Sequence, residues 1–74
     1  MVKVYSTQTC PWCRRAKDFL SKNNIKFEEI DVQDPAKANQ LMKLTGQTAV
    51  PVLDIDGKVI VGFSESEIRN ALGI

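Results

Sequence analysis

The chain of 74 residues has no histidine and only two cysteines, and both cysteines fall within one tetrapeptide. A structural zinc site wants four ligands, drawn mainly from cysteine and histidine, so zinc here would need a second copy of the chain or carboxylates. A small secreted scaffold carries four to eight cysteines at wide separations. Two in one tetrapeptide staple nothing distant, and loop entropy credits such a short bridge with only about 2 kcal/mol. An excess of one charge is missing as well: the net charge is +1. There is neither a basic stripe nor the interleaved aromatics of a nucleic-acid binder, so no nucleic-acid partner is expected. No apolar run exceeds a few residues, so no membrane span is expected. Repeats, linkers and low-complexity tracts are absent. With 43% apolar residues the composition supports one modest core, so residues 1–74 are read as a single domain near the lower limit of independent folding. Met1-Val2-Lys3 leads straight into a strand pattern with no secretory signal before it. The expectation is a monomeric cytoplasmic protein.

What is present is concentrated at Cys10-Pro11-Trp12-Cys13. A short strand precedes it and a helical pattern follows. Thiols two residues apart can close a disulfide without moving the rest of the chain. At a helix start, backbone N–H groups lack partners and the helix dipole favours negative charge. Thiolate is the reactive form of cysteine, so the position turns the first thiol into a nucleophile and points to dithiol–disulfide exchange. One competing reading makes Cys10 and Cys13 half of a zinc site or of an iron–sulfur cluster bridging two subunits. Another makes the chain a docking module, which leaves two thiols at a helix start without a use.

The pattern along the chain reads as βαβαββα. Val2 to Ser6 alternates as a strand. Thr7-Gln8-Thr9 is a polar loop, and Pro11 suits the first position of a helix that runs to Asn23. Cys13, Ala16 and Leu20, with Phe19 beside them, mark its inner face. Ile25 to Val32 reads as a second strand. Asp34-Pro35 caps and opens a second helix, with Ala38, Leu41, Met42 and Thr45 at helical spacing and Gly46 as its stop. Val50 to Ile55 is a third strand, and Asp56-Gly57 a hairpin turn returning Lys58 to Val61 antiparallel. Ser64 and Glu67 have capping-box spacing for a last helix, with Ile68, Ala71 and Leu72 facing the core. A strand–helix–strand unit followed by a hairpin predicts an α/β fold with a four-stranded mixed sheet and three helices spread over both faces.

Three elements in this order, Thr9-Cys10-Pro11-Trp12-Cys13, Ala49-Val50-Pro51-Val52 and Val61-Gly62-Phe63-Ser64, resemble those of glutaredoxins and glutaredoxin-like redoxins of thioredoxin-like fold. The resemblance covers essentially the whole chain. It implies a small dithiol–disulfide oxidoreductase with no bound cofactor, in which Cys10 is the attacking thiolate and Cys13 the resolving thiol. It also implies that Pro51 is cis beside the disulfide and that the backbone of Val50 pairs with an extended thiol substrate. The substrate groove would comprise Thr7, Pro11, Trp12, Val50, Pro51, Gly62, Phe63, Ser64 and Glu65. Glutathione-dependent members usually carry lysine or arginine where this chain has Thr7, and a Gly-Gly-x-Asp-like loop where it has Gly62-Phe63-Ser64-Glu65. Gly62-Phe63 looks more like redoxins that serve ribonucleotide reductase and draw electrons from a flavin disulfide reductase. The external electron source is therefore glutathione or a thioredoxin-reductase-type flavoprotein, and the partners are disulfide-bearing proteins such as ribonucleotide reductase or a peroxidase. Pro11 is unlike the family's cluster binders.

Several side chains are open to two readings. Arg14 and Arg15 are either solvated surface cations or charges that favour the Cys10 thiolate and attract acidic surfaces. Trp12 is a surface aromatic or, as its place between the thiols favours, apolar contact area for a bound thiol or peptide. Phe63 is either core or groove rim, and Tyr5 is read as packed rather than catalytic.

Overall fold

The first strand, β1 (Val2–Ser6), runs up the middle of the sheet and delivers the chain to α1 (Pro11–Lys22). In the computed structural model, which describes residues 2–74, there follow β2 (Phe27–Asp31), α2 (Pro35–Thr45), β3 (Val52–Ile55), β4 (Lys58–Val61) and α3 (Glu65–Leu72). Met1, the residue from which the signal-free start was read, lies outside the described residues. The sheet order is β2-β1-β3-β4. β1 pairs in parallel with β2 and antiparallel with β3, and β3 pairs antiparallel with β4. This is the mixed four-stranded sheet expected, and no helix among the described residues is long and apolar enough to cross a membrane.

Alternation along the strands sorts the core into two layers. Val2 and Val4 of β1, Leu53 and Ile55 of β3 and Ile60 of β4 pack with Ala16 and Leu20 of α1 and Ile68 of α3. Tyr5, Ile30 and Val52 face the other way and pack on Leu41 of α2. Two helices therefore cover one face and one covers the other. Leu41 is the only fully buried side chain that α2 contributes, and Met42, expected beside it, is 46% exposed. Adjacent helical positions diverge by about 100°, and this short helix meets the sheet along a single line.

Two strand starts and one cap differ from the sequence reading, each for a local reason. The second strand starts at Phe27 because Ile25 belongs to the end of α1. Its N–H donates to the Leu20 carbonyl (2.9 Å), the Asn24 N–H donates to that of Ser21 (3.1 Å), and Asn24 is left-handed with φ 59°. That is a Schellman closure built on asparagine instead of glycine. The third strand starts at Val52, since Pro51 has no N–H to give a ladder. Ser64 is the N-cap of α3 but its side chain makes no capping bond, so the capping box does not form; Glu65 and Glu67 set negative charge in the first turn instead. The other signals behave as read. Asp34 Oδ1 accepts the Ala36 N–H at 3.0 Å, and Asp56 and Gly57, with φ of 51° and 94°, give the two left-handed residues that a two-residue hairpin of this twist requires.

Candidate active site

Strand β1 ends in a short polar loop that points Cys10 at the open end of α1. Cys10 is the N-cap residue, extended at φ −96° and ψ 112°, and Pro11 follows in the first turn. Its sulfur accepts the Cys13 N–H at 3.2 Å, one of the N-terminal donors that a helix leaves unpaired. The two sulfurs have different surroundings. Cys10 is partly exposed, whereas Cys13 is completely buried. Burial, reinforced by the hydrogen bond that the Cys13 thiol gives to neighbouring Cys10, pushes the Cys13 thiol up to about 11, against a backbone bond from Thr7 and the charge of Lys17. Cys13 is thus held as a thiol at neutral pH. Both cysteines are free, so the structure is that of the dithiol.

Across from Cys10 lies the loop that enters β3. The Val50–Pro51 peptide is cis, and the Cys10 thiol reaches the Val50 carbonyl at a long 3.9 Å. The Pro51 carbonyl accepts the Gly62 N–H at 2.8 Å, which ties the exit of β4 to the same loop; Gly62 takes φ 84° to do so. Between these segments is an open cavity of about 280 Å³ lined by Trp12, Val50, Pro51, Gly62 and Phe63. Phe63 serves both of its readings. Its ring meets Trp12 at 6.3 Å on the groove side and Phe19 edge-on at 6.1 Å on the core side. Trp12 is 54% exposed, and the Arg15 guanidinium stacks 4.7 Å from the centre of its ring.

The expected groove residues divide accordingly. Trp12, Val50, Pro51, Gly62 and Phe63 come together beside Cys10. Pro11 instead lines a second cavity of about 290 Å³ that Cys10 also borders, shared with Arg14 and Arg15. Thr7 bonds Cys13 through its backbone. Ser64 holds the N-cap position of α3 without a side-chain bond, and Glu65 is paired with Arg69 at 3.1 Å. The sequence reading missed Arg15 as the partner of Trp12, although their separation of three residues on a helix is a usable signal. It also missed Lys17, whose ammonium lies 2.8 Å from Glu29. Lys17 follows Cys13 by one helical turn, but Glu29 reaches it only through the crossover that sets β2 beside β1. Among the described residues, no group of three or more histidine, cysteine, aspartate or glutamate side chains is arranged to hold a metal ion.

A cysteine pair at the head of α1, facing an X–Pro loop across the central strand, defines a thiol–disulfide oxidoreductase of thioredoxin-like fold. Residues 2–60 match the family model for glutaredoxin, and the chain belongs to the glutaredoxin family. It is 48% identical over 69 residues to a glutaredoxin-like 8.6 kDa protein of the rubredoxin operon of Clostridium pasteurianum, covering 92% of each chain. It is 36% identical over 73 residues to glutaredoxin 3 of Escherichia coli strain K12, covering 97% of this chain and 88% of that one. The crystal structure of a variant of the thioredoxin-like protein BC3987 matches with a TM-score of 0.90 at 36% identity, covering 97% of this chain and 99% of that one. The protein is a small thiol–disulfide oxidoreductase, and its redox partners are disulfides.

Proposed function

We propose that the chain is a dithiol electron carrier in which Cys10 attacks a substrate disulfide and Cys13 resolves the mixed disulfide. The carrying observation is the asymmetry of the pair: an accessible sulfur that accepts a helix-start N–H at 3.2 Å, and a fully buried one. Cys10 takes one substrate sulfur into a mixed disulfide and the other leaves as thiolate. Cys13 then attacks Cys10, closes the internal disulfide and frees the reduced product. The Trp12, Val50, Pro51, Gly62 and Phe63 groove holds the segment around the substrate sulfur, with apolar rings on one side and backbone on the other.

The electron source in this reading is a thioredoxin-reductase-type flavoprotein rather than glutathione. Thr7 offers no cation for a carboxylate, and the pairing of Glu65 with Arg69 draws the nearest acid away from the groove. The acceptors are protein disulfides of the kind formed in ribonucleotide reductase or a peroxidase turnover. The setting is the cytoplasm, where thiols are kept reduced. Two experiments test the reading. Cys10→Ser should abolish disulfide reduction, and Cys13→Ser should trap partners as mixed disulfides on Cys10; reduction that survives Cys10→Ser refutes the assignment. NADPH consumption should couple through the flavoprotein, and turnover only with glutathione and glutathione reductase would refute the choice of reductant.

A further inference from the structure

One polar cluster beside the cysteines has no part in the scheme above. Lys17 stands one turn below Cys13 on the same face of α1, the (i, i+4) relation that brings side chains together. Its Nζ lies 2.8 Å from Glu29 Oε1, and the lysine side chain is only 25% exposed. The same carboxylate oxygen accepts the hydroxyl of Ser6 at 3.3 Å, and Ser6 is completely buried at the end of β1. Glu29 is held below the usual carboxylate range, first by its hydrogen bond from Lys17, so at neutral pH it is an anion gripping the ammonium. Three elements thus converge on one carboxylate: the helix that carries Cys13 and Lys17, the central strand with Ser6, and the strand beside it that carries Glu29.

Several other charged groups stand near this cluster. On β2, Asp31 lies opposite Ser6, on the same face as Glu29, and its Oδ1 accepts the Gln33 N–H at 2.9 Å. On α1, Cys10 and Lys17 are the groups whose charge acts on Cys13. On α3, Glu65 and Arg69 are paired with one another. On β3, Asp54 stands opposite Lys3 of β1, on the sheet face away from α1. Lys17 is a cation whose charge acts on the buried sulfur and that an ion pair holds in place.

We propose that Lys17, clamped by a Glu29 that Ser6 holds in turn, is a positioning residue that supplies the positive charge against which Cys13 gives up its proton when it resolves the mixed disulfide. The inference rests on the assignment of Cys10 as the attacking and Cys13 as the resolving sulfur. In the step concerned, Cys13 thiolate attacks Cys10 Sγ. The Cys10–Cys13 bond forms, the bond from Cys10 to the substrate sulfur breaks, and that sulfur leaves with the electron pair. The proton lost by Cys13 is balanced by the one the departing thiolate takes up. The internal pair is oxidised by two electrons and the substrate disulfide is reduced by two. A buried thiol without a cation nearby would resist this ionisation, and a lysine left free in solvent would be too mobile and too screened to help.

The test loads Cys10 of the full chain with 5-thio-2-nitrobenzoate and follows its release on closure by stopped flow from pH 6 to 10. Lys17→Met should slow closure about tenfold at pH 7 and displace the pH profile upward by about one unit, a unit of pKa being a factor of ten. Lys17→Arg should restore most of the rate, and thermal melts of each variant should remain cooperative. Glu29→Gln should displace the profile upward as well, because the clamp is lost; a downward displacement, as expected from merely deleting a negative charge, overturns the clamp. A Lys17→Met profile superimposable on that of the parent protein overturns the role of the lysine alone. A protein that never loads at Cys10 overturns the assignment beneath it and this inference with it.

Discussion

A thiol held protonated by its surroundings must make the folded protein sensitive to alkali. Cys13 ionises near its ordinary value of 9.0 in the unfolded chain and near 11 in the folded one. Below pH 9 both states keep the proton and the difference is without effect. Between pH 9 and 11 the unfolded chain loses a proton that the folded protein retains, so folding is progressively disfavoured as pH rises. Linkage gives a loss of about 1 kcal/mol at pH 10, approaching about 3 kcal/mol above pH 11. The measurement is taken as a difference between the parent protein and a variant without this thiol. Urea unfolding of the dithiol protein and of Cys13→Ala at pH 8 and at pH 10 isolates the contribution of this thiol. The parent protein should lose about 1 kcal/mol more than the variant between the two values. Equal losses would refute the account, since they would mean that the buried sulfur ionises alike in both states.

Three further outcomes follow from the packing. Asn24→Ala should cost about 1 kcal/mol, because an L-residue other than asparagine or glycine is strained in the left-handed closure of α1, whereas Asn24→Gly should leave the melting temperature level or higher; equal destabilisation by both would contradict the closure. Leu41→Ala should cost about 3 kcal/mol in urea unfolding, as expected for a fully buried leucine, because it is the one side chain that α2 buries completely; a loss under 1 kcal/mol would mean the helix is held elsewhere. Phe63→Ala removes ring contacts with both Trp12 and Phe19, and should cost about 2 kcal/mol and shift the emission of Trp12, the sole tryptophan. An unchanged spectrum would show that the two rings do not meet in solution.

Much of this was legible in the sequence because the informative residues act locally. Pro35 after Asp34, Gly57 after Asp56 and Pro11 after Cys10 each fix their own turn or cap, and the elements they bound form as read. The alternation of Val2 and Val4 against Tyr5 assigns the two faces of β1 without reference to any partner. The misread boundaries are those where the deciding bond joins residues that periodicity treats separately, as when Ile25 turns back to Leu20 instead of extending the strand. Two kinds of partner were misread: a local spacing whose bond does not form, and a pair that topology alone brings together. Ser64 and Glu67 have the spacing of a capping box, yet the serine makes no side-chain bond. Lys17 and Glu29 have no relation in sequence, and their contact exists only because β2 lies parallel to β1.

The unlike environments of the two thiols follow from helix geometry itself. A residue at the N-cap lies outside the helical spiral, with its side chain at the open end, where N–H groups three positions on are unpaired. A residue three positions later is inside the spiral, and with this helix laid across β1 that position faces the sheet. A separation of two intervening residues therefore buries Cys13 while directing its N–H to the Cys10 sulfur at 3.2 Å. Pro11 adds to this, since it brings no N–H of its own to the helix start. One more or one fewer intervening residue would rotate the second sulfur by about 100° around the axis, away from the core and from Lys17. The spacing thus sets proximity, burial and the direction of the capping donor together, which no pair of thiols placed on a flat loop would combine.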